Sequence, residues 1–334
     1  MQFTRSRGPD PAPPPYPPIV SSITAFDAEY RALTEACGVL DRSERGKLAL
    51  AGADAKSFLQ GQVTNDVEGL APGTGCYAAF LTPKGKMLGD VRVLDTGSEL
   101  LLDTERCALQ ALFNLIRRFS IGYSVTLYKR TLESGLLSLI GPQASAIAGA
   151  GDLPELEHAH VAASVDGIAA RAIRTDAGID LLCAAADTDA LLEALRARGA
   201  APVGEQAAEC LRIESGRPRY GIELDDSVIP QEAGLNERAV SFSKGCYVGQ
   251  ETVARLFYRG KPNRHLRGLC CQAPVAPGDA VVHDGRQVAT VASAAVSPRR
   301  GPLALALVRR EAPPGATVVI GADGVEATVV ELPF

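Results

Sequence analysis

The segment Lys244–Glu251, KGCYVGQE, brings a thiol, an ammonium group, a carboxylate, an amide and two glycines into eight residues. A thiolate is favoured beside a cation or at a helix N-terminus. Lys244 lies two residues before Cys246 and a helix-like run follows, so both effects predict a lowered pKa for this thiol. Gly245 and Gly249 allow backbone conformations closed to other residues. The segment indicates either a reactive cysteine or a buried structural cysteine in a tight loop.

The carboxylate of Glu214 is a second candidate, because it lies on the apolar face of a predicted helix. It lies in a helix predicted between Gly204 and Gly216, and it follows Ala207, Cys210 and Leu211 at the spacing of one apolar helix face. A carboxylate that points towards a core, close to the negative end of a helix, is costly unless it accepts hydrogen bonds. We therefore expect Glu214 to have a dedicated partner.

Two kinds of partner for Glu214 are consistent with the sequence. One is a salt bridge to Arg217 or Arg219, which follow the predicted helix. The other is a ligand, because a carboxylate can accept two parallel N–H bonds from the edge of a planar heterocycle such as a pterin or a purine. The helical spacing alone leaves both open.

Asp90 is a third candidate, directly after a predicted hairpin turn at Pro83–Gly85 and before the strand-like residues Val91 and Val93. A carboxylate at this place is typical either of a catalytic group or of the polar end of a strand.

A basic stretch follows the cysteine motif. Between Thr252 and Arg267 there is no acidic residue, and Phe257 and Tyr258 are interleaved with the cations. The five basic residues are Arg255, Arg259, Lys261, Arg264 and Arg267. Such a patch suits a polyanionic ligand tail, for example a chain of glutamates, or an RNA backbone. The alternative is a solvated linker between two domains.

The composition narrows the classes of function. Apolar residues make up 46% of the chain and the net charge is −5, which argues against avid binding to nucleic acid or to acidic membranes. The eight cysteines contain no C-x-x-C pair and no metal-ligand spacing, so we expect no metal site and no disulfide framework. His158 and His160 lie in an Ala-rich, loop-like stretch and are expected to be solvated.

The first twenty residues contain seven prolines and no apolar core of the kind that a signal peptide needs. We predict a Pro-rich tail over residues 1–21, no membrane-spanning segment, and a cytoplasmic protein with reduced thiols.

The elements that must position these groups fall into two regions, because 334 residues exceed what one core usually holds. Residues 22–262 mix strands and helices, which indicates an α+β class. Runs at 76–81, 87–94 and 99–102 predict a meander of strands, and the amphipathic run Glu105–Phe119 predicts a helix.

The pattern changes in the last region, residues 263–334. Short strand-like runs alternate with tight turns there, and the dipeptides Asp284-Gly285 and Asp323-Gly324 are typical of two-residue hairpins. The vicinal pair Cys270-Cys271 would alternate faces in a strand, so one thiol should enter the core. This region predicts a small all-β module.

Taken together, Leu211–Leu224 (LRIESGRPRYGIEL) and KGCYVGQE resemble the YgfZ family, relatives of the glycine-cleavage T-protein. The resemblance extends through LDRSERGKLALAGADAKSFLQGQVTNDV and GKMLGDVRVL, and so spans roughly residues 39–334 in order. LRIESG marks the wider folate-binding superfamily, whereas the cysteine motif distinguishes YgfZ-like chains. Gly89-Asp90 stands where the T-protein pattern has paired aspartates.

The resemblance implies mixed α/β subdomains around a central channel, followed by a C-terminal antiparallel β-barrel. It also implies a tetrahydrofolate cofactor and a role in the assembly or repair of iron–sulfur proteins, with a link to tRNA modification through iron–sulfur enzymes.

By the same resemblance, Glu214 contacts the pterin and Asp90 assists group transfer. Cys246, with Lys244 beside it, faces the same cavity as a reactive thiol. The motif and basic residues that complete the predicted folate site are Tyr220, Gln250, Glu251, Arg255 and Arg264.

Our leading hypothesis from the sequence is therefore a folate-binding accessory factor whose partners are folate and iron–sulfur proteins or their assembly factors, without direct binding to nucleic acid. The alternatives are a folate-dependent aminomethyl or one-carbon transferase that uses Asp90, and a non-catalytic interaction module that folate stabilises.

Overall fold

The computed structural model describes residues 23–334, so the predicted Pro-rich tail lies outside the described residues. The helices within this range are α1 Ile23–Glu35, α2 Ala55–Gln60, α3 Arg106–Phe119, α4 Ala144–Ala148, α5 Thr188–Ala197, α6 Glu205–Glu214, α7 Asn236–Ala239 and α8 Gln250–Arg259. Between residues 23 and 334, no helix combines the length and the apolar character that a membrane crossing needs.

Three β-structures organise the same residues. Their strands are β1 Gly38–Asp41, β2 Gly46–Ala51, β3 Gly75–Leu81, β4 Met87–Asp95, β5 Leu100–Thr104, β6 Thr126–Lys129, β7 Ser134–Ile140, β8 His160–Val165, β9 Ile168–Arg174, β10 Gly178–Ala184, β11 Ala201–Pro202, β12 Arg264–Cys271, β13 Ala280–His283, β14 Arg286–Ser297, β15 Gly301–Arg309, β16 Thr317–Ile320 and β17 Val325–Val330.

The first sheet has five antiparallel strands in the order β3-β4-β5-β2-β6, and it contains the predicted meander. Successive side chains of a strand point to opposite faces. Val91 and Val93 of β4 are buried in one core cluster with Leu112 and Ile116 of α3, whose apolar residues recur at helical spacing. Asp90 and its neighbours at even positions therefore face the other side of the sheet.

The second sheet has six strands in the order β11-β1-β7-β10-β9-β8, antiparallel except for the pair β1 and β11. Val39, Leu137 and Leu181 of its central strands pack with Leu191 and Leu195 of α5. The helix α6 lies outside both sheets and contacts α1 and the barrel strand β14.

Strands β12 to β17 form a closed antiparallel barrel, as predicted, because β12 pairs with both β15 and β17. At the β13–β14 hairpin, Asp284 has φ 47° and Gly285 has φ 71°, the left-handed pair that a type I′ turn requires. Cys271 is buried in the barrel core and Cys270 is exposed, which confirms the predicted alternation.

The junction between the cysteine motif and α8 depends on one glycine. Gly249 precedes α8 with φ 86°, and a Cβ atom added to it would lie 2.6 Å from the Thr82 carbonyl oxygen. The hairpin between β3 and β4 and the start of α8 therefore approach each other more closely than any larger residue would allow.

We expect Gly249→Ala to lower the free energy of unfolding by about 1–3 kcal/mol. Alanine disfavours the left-handed backbone at this position, and its methyl group would lie too close to the Thr82 carbonyl oxygen. Gly245→Ala is the matched control, since a Cβ atom there meets nothing within 4 Å. Chemical denaturation measures both variants, and equal stability of the two would contradict the close approach.

Candidate functional site

A cavity of about 250 Å³ is lined by residues of both sheets and of α6. The first sheet contributes Asp90 and Arg92 from β4, and the second contributes Asp180 from β10. Arg92 pairs with Tyr77 of β3 and with Asp103 of β5 in the strand register, so these polar residues lie together on the face opposite α3. The cavity therefore lies against the polar face of the first sheet, and α3 covers the apolar face.

Charges dominate the wall, which carries seven arginines and seven carboxylates. Arg92 donates to Asp103 at 2.9 Å and to Asp180 at 2.7 Å, and so connects the two sheets. Arg45 pairs with Asp103 at 2.9 Å and with Glu105. The neighbouring carboxylates raise the pKa of both buried guanidinium groups against the opposing effect of burial.

Asp90 differs from the other cavity carboxylates. Within residues 23–334 it has no ion-pair partner, whereas each of the others pairs with at least one arginine; these are Asp103, Glu105, Glu157, Asp176, Asp180 and Glu209. The hydroxyl of Tyr77 donates to Asp90 Oδ2 at 2.6 Å. Burial raises the pKa of Asp90 to about 6, although the Tyr77 hydrogen bond lowers it.

The position of Asp90 bears on the two interpretations that the sequence left open. Asp90 lies inside strand β4, Met87–Asp95, and is buried, so the interpretation as a strand-end carboxylate is wrong. Its catalytic role stays a prediction. The alternation of polar Asp90 and Arg92 with apolar Val91 and Val93 is the sequence signal that indicates a polar sheet face here.

Three buried nitrogen atoms of the cavity residues have no hydrogen-bond partner among the described residues: Arg92 Nε, His158 Nδ1 and Arg238 Nε. A buried polar group without a partner costs about 1–3 kcal/mol. Native proteins rarely leave such groups unpaired, and a ligand or water normally completes them. At these three atoms the described residues leave a buried polar group of the wall unpaired.

The expectation that the two histidines are solvated is wrong. His158 is 9% exposed and His160 is 1% exposed. His158 has a left-handed backbone with φ 70°, and burial, together with the charges of Arg92 and Arg238, lowers its pKa to about 3. Sequence periodicity could not place His158, because this residue precedes strand β8. Its backbone N–H donates to the Arg174 carbonyl oxygen of β9, a contact that the local sequence does not indicate.

Glu214 does not line the cavity. The hydroxyl of Tyr30 in α1 donates to its two carboxylate oxygens at 2.8 and 3.0 Å. The helix face that does line the cavity includes Ala208, Arg212 and Ser215, on the other side of α6. The expected dedicated partner is the Tyr30 hydroxyl, and the alternative of a salt bridge is wrong, because Arg217 and Arg219 pair with other carboxylates. The role of Glu214 towards a ligand stays a prediction.

Cys246 and Lys244 also lie outside the cavity wall. Cys246 is an exposed free thiol, so the interpretation as a buried structural cysteine is wrong. The Lys244 ammonium group donates to the carbonyl oxygens of Gln60, Val63 and Asn65 at 2.6, 2.7 and 2.8 Å. Burial lowers the pKa of Lys244 to about 8, so the group is charged at neutral pH and anchors the loop.

The structure brings none of the remaining predicted ligands into the wall of the cavity: Tyr220, Gln250, Glu251, Arg255 and Arg264. Arg264 instead pairs with Glu232 at 3.0 Å and donates to the Ser227 carbonyl oxygen at 2.7 Å. Glu251 and Arg255 are exposed on α8. Of Glu214, Asp90 and Cys246, only Asp90 therefore lies in the wall of this cavity, and the predicted roles of the other two stay predictions.

We expect Tyr30→Phe to lower the free energy of unfolding by about 1–2 kcal/mol, because the Glu214 carboxylate loses its hydroxyl donor. Affinity for tetrahydrofolate should change less than about twofold, since neither residue lines the cavity. Thermal unfolding and isothermal titration measure the two effects, with Tyr258→Phe as the exposed control. A tenfold loss of affinity without a loss of stability would restore Glu214 as the pterin anchor.

Comparison with known proteins agrees with this architecture. The model of the GCVT N-terminal domain matches residues 12–244, and that of the glycine cleavage T-protein C-terminal barrel domain matches residues 264–334. A chloroplastic transferase-like protein of Arabidopsis thaliana is 30% identical over 95% of this chain and 75% of its own length. The aminomethyltransferase of Rubrobacter xylanophilus is 32% identical over 92% of this chain and 85% of its own length.

A solved structure shows the same fold. The aminomethyltransferase T of the glycine cleavage system from Bartonella henselae superposes with a TM-score of 0.82, at 24% identity, over 92% of this chain and 89% of that one. The mixed α/β domains and the closed six-stranded barrel are thus shared with a T-protein. The family models together cover most of the chain. This chain belongs to the glycine-cleavage T-protein family.

Proposed function

We propose that the chain binds a reduced folate in the cavity and takes part in the transfer of a one-carbon group, as an aminomethyltransferase-like protein. The observation that carries this proposal is Asp90, a buried cavity carboxylate to which no described cation is paired. Membership of the T-protein family and the names of the relatives support it. A buried acid with a raised pKa at the wall of a cavity is typical of functional sites.

The cavity residues fit a folate head group. Small-molecule pockets usually measure about 300–1,000 Å³. The cavity, at about 250 Å³, lies just below this range, so it suits a flat bicyclic ring whose tail leaves through the opening. The ring offers N–H groups and a carbonyl oxygen, and the wall offers the carboxylate of Asp90 and the hydroxyl of Tyr77. These two groups would face the polar edge of the ring.

Asp90 is suited to hold or exchange a proton near neutral pH. With a pKa of about 6 it is mostly ionised at pH 7 but takes up a proton readily. The pKa of Tyr77 lies well above its ordinary value because of burial and the Asp90 charge, so this tyrosine remains a hydrogen-bond donor. A bound folate would supply the nitrogen atoms that carry a one-carbon unit, and the ionised carboxylate would stabilise positive charge beside them.

We expect Asp90→Asn to abolish folate-dependent transfer and to stabilise the fold at alkaline pH. The folded-state pKa of about 6 exceeds the ordinary value of 3.8, so the native protein binds the proton more tightly than the unfolded chain. Ionisation of Asp90 therefore costs stability above pH 6 and nothing below about pH 4. The variant should gain on the order of 2–3 kcal/mol at pH 8.

Chemical denaturation at pH 4 and pH 8 measures this gain, and Asp189→Asn on the first turn of α5 is the control, since α5 contributes nothing to the cavity wall. Transfer is followed as tetrahydrofolate-dependent turnover over a panel of aminomethyl and methyl donors. An Asp90→Asn protein that is equally active, or that loses stability at pH 8, would contradict the role of Asp90.

A second candidate function has one observation in its favour. Cys246 is an exposed thiol on a loop that Lys244 anchors, and it is separate from the cavity wall. A thiol so placed is accessible to a macromolecule, which suits an accessory factor for the assembly or repair of iron–sulfur proteins, including tRNA-modifying enzymes, in the cytoplasm. The YgfZ-like motif KGCYVGQE supports the same candidate.

We expect Cys246→Ser to fail to restore iron–sulfur enzyme activities in cells of the source organism that lack this gene, while Cys270→Ser restores them. Cys270 is the matched control because its thiol is also exposed. Aconitase-type activity in extracts, with immunoblots for protein level, measures the outcome. Full restoration by Cys246→Ser would show that this function does not need the thiol, and the proposal of a folate site would still stand.

A further inference from the structure

Positive charge is concentrated in a part of the chain that the proposed function does not use. Residues 106–132 span α3, the loop after it and the edge strand β6. They contain five basic residues and no acidic residue, although the net charge of the whole chain is −5, and none of them lines the cavity. The five basic residues are Arg106, Arg117, Arg118, Lys129 and Arg130.

Most of this positive charge is not balanced within the protein. Arg130 pairs with Glu99 at 3.3 Å and with Glu133 at 2.8 Å, but the other four cations have no ion-pair partner in the part of the chain that the structure describes. All four are exposed. Two of them lie in the last turn of α3, where they also complement the negative end of the helix dipole. These cations are therefore free to contact an anionic partner.

Cations of the helix and of the strand meet around aromatic rings. The Lys129 Nζ atom lies 4.2 Å from the ring centroid of Phe113, and the Arg117 guanidinium group lies 6.0 Å from the same centroid. Arg118 lies 5.7 Å from the ring centroid of Phe119. Cation–π contacts of this kind hold the charges beside apolar surface. The C-terminal half of α3 and the strand β6 thus form one basic and aromatic surface.

The loop after α3 adds apolar side chains that protrude. Phe119 is 50% exposed, Ile121 is 81% exposed and Tyr123 is 49% exposed. A Cβ atom added to Gly122 would meet nothing within 4 Å, so the tip of the loop lies in open space. An aliphatic side chain at such a tip gains free energy when a partner removes it from water.

Tertiary contacts fix this loop before any partner binds. The ring of Tyr123 packs on Phe58 of α2, with the two ring centroids 5.2 Å apart. The backbone N–H of Ser124 donates to the carboxylate of Asp54 at 2.7 Å. Binding costs less conformational entropy when the contacting groups are already ordered. The loop therefore presents Ile121 in a defined position.

We propose that this surface docks the chain on the face of a lipid bilayer that contains anionic headgroups. The cations bind the lipid phosphates, Ile121 and Phe119 enter the boundary between headgroups and acyl chains, and Tyr123 lies at the level of the headgroups. The contact is independent of the proposed function, because α3 covers the face of the first sheet opposite the cavity. The docking surface consists of Phe113, Arg117, Arg118, Phe119, Ile121, Tyr123 and Lys129.

The shape of the surface favours a lipid bilayer over a nucleic acid or an acidic protein. Single-stranded nucleic acids are bound by aromatic rings on which the bases stack, whereas the tip of this loop carries the aliphatic Ile121. Protein segments are usually held in a groove or along a sheet edge. An apolar tip that protrudes into a fluid bilayer needs no matching pocket.

The negative net charge of the chain does not prevent this contact. At physiological salt, charges separated by more than about 8–10 Å are largely screened. The local cations, rather than the net charge of −5, therefore govern the attraction to a membrane surface.

Vesicle sedimentation tests the proposal on the full wild-type chain. We expect vesicles of phosphatidylcholine with about 30 mol% phosphatidylglycerol to bind at least about tenfold more tightly than vesicles of phosphatidylcholine alone. A rise from about 0.05 M to about 0.5 M NaCl should weaken this binding about tenfold or more, because salt screens the cations. Equal binding to both kinds of vesicle, or binding to neither, overturns the proposal.

Matched variants assign the binding to this surface. Arg117→Gln combined with Arg118→Gln should weaken binding to the anionic vesicles about tenfold or more. Arg255→Gln combined with Arg259→Gln is the control, because these two arginines are also exposed, on α8, and it should change binding less than about twofold. If the first pair binds as tightly as the wild type, another part of the chain holds the vesicles and the proposal is wrong.

Fluorescence reports whether the loop enters the bilayer. The chain contains no tryptophan, so Ile121→Trp introduces a single indole at the loop tip, and Tyr258→Trp introduces one at a different exposed position. We expect anionic vesicles to shift the emission of the first variant to shorter wavelength and brominated lipids to quench it, with no change for the second. Unchanged emission of the first variant on sedimented vesicles would contradict the insertion of the loop.

A nucleic acid is the competing occupant, and polyuridylate is its probe. If the wild-type chain binds polyuridylate but not the anionic vesicles, and the combined Arg117→Gln and Arg118→Gln change abolishes that binding, the surface belongs to a nucleic acid and the lipid proposal is overturned.

Discussion

The buried ion pairs of Arg92 are the interaction on which the site depends. Its guanidinium group joins Asp103 of the first sheet to Asp180 of the second. Buried charges are tolerated only when they are paired, and the loss of one partner leaves the other uncompensated. These pairs therefore hold the two sheets at a fixed separation and surround Asp90 with charges that are already balanced. A change in this pairing would move the wall and alter the pKa of Asp90 together.

Much of the fold could be predicted from the sequence because its signals are local. The meander β3–β5, the helix α3 and the hairpins of the barrel follow from side-chain periodicity and turn chemistry. The alternation of Cys270 and Cys271 was predictable for the same reason. Periodicity fixes which residues share a face, and turn chemistry fixes where two successive strands form a hairpin.

The site was less predictable because it depends on which element each face meets. The apolar stripe of α6 exists as predicted, but it packs on α1, and the opposite side of α6 lines the cavity. Glu214 thus has a partner that is 184 residues away in sequence. Asp90 could be identified because strand alternation places it, whereas His158 and Arg238 reach the cavity through tertiary packing that a single sequence does not record.

The bond between Tyr30 and Glu214 has a mechanical consequence. It fastens α1 to one side of α6, and the opposite side of α6 forms part of the cavity wall. A binding event that displaces α1 would therefore also displace α6 and change the shape of the cavity. The helix α1 therefore supports one wall of the cavity through α6, although α1 itself contributes no residue to that wall.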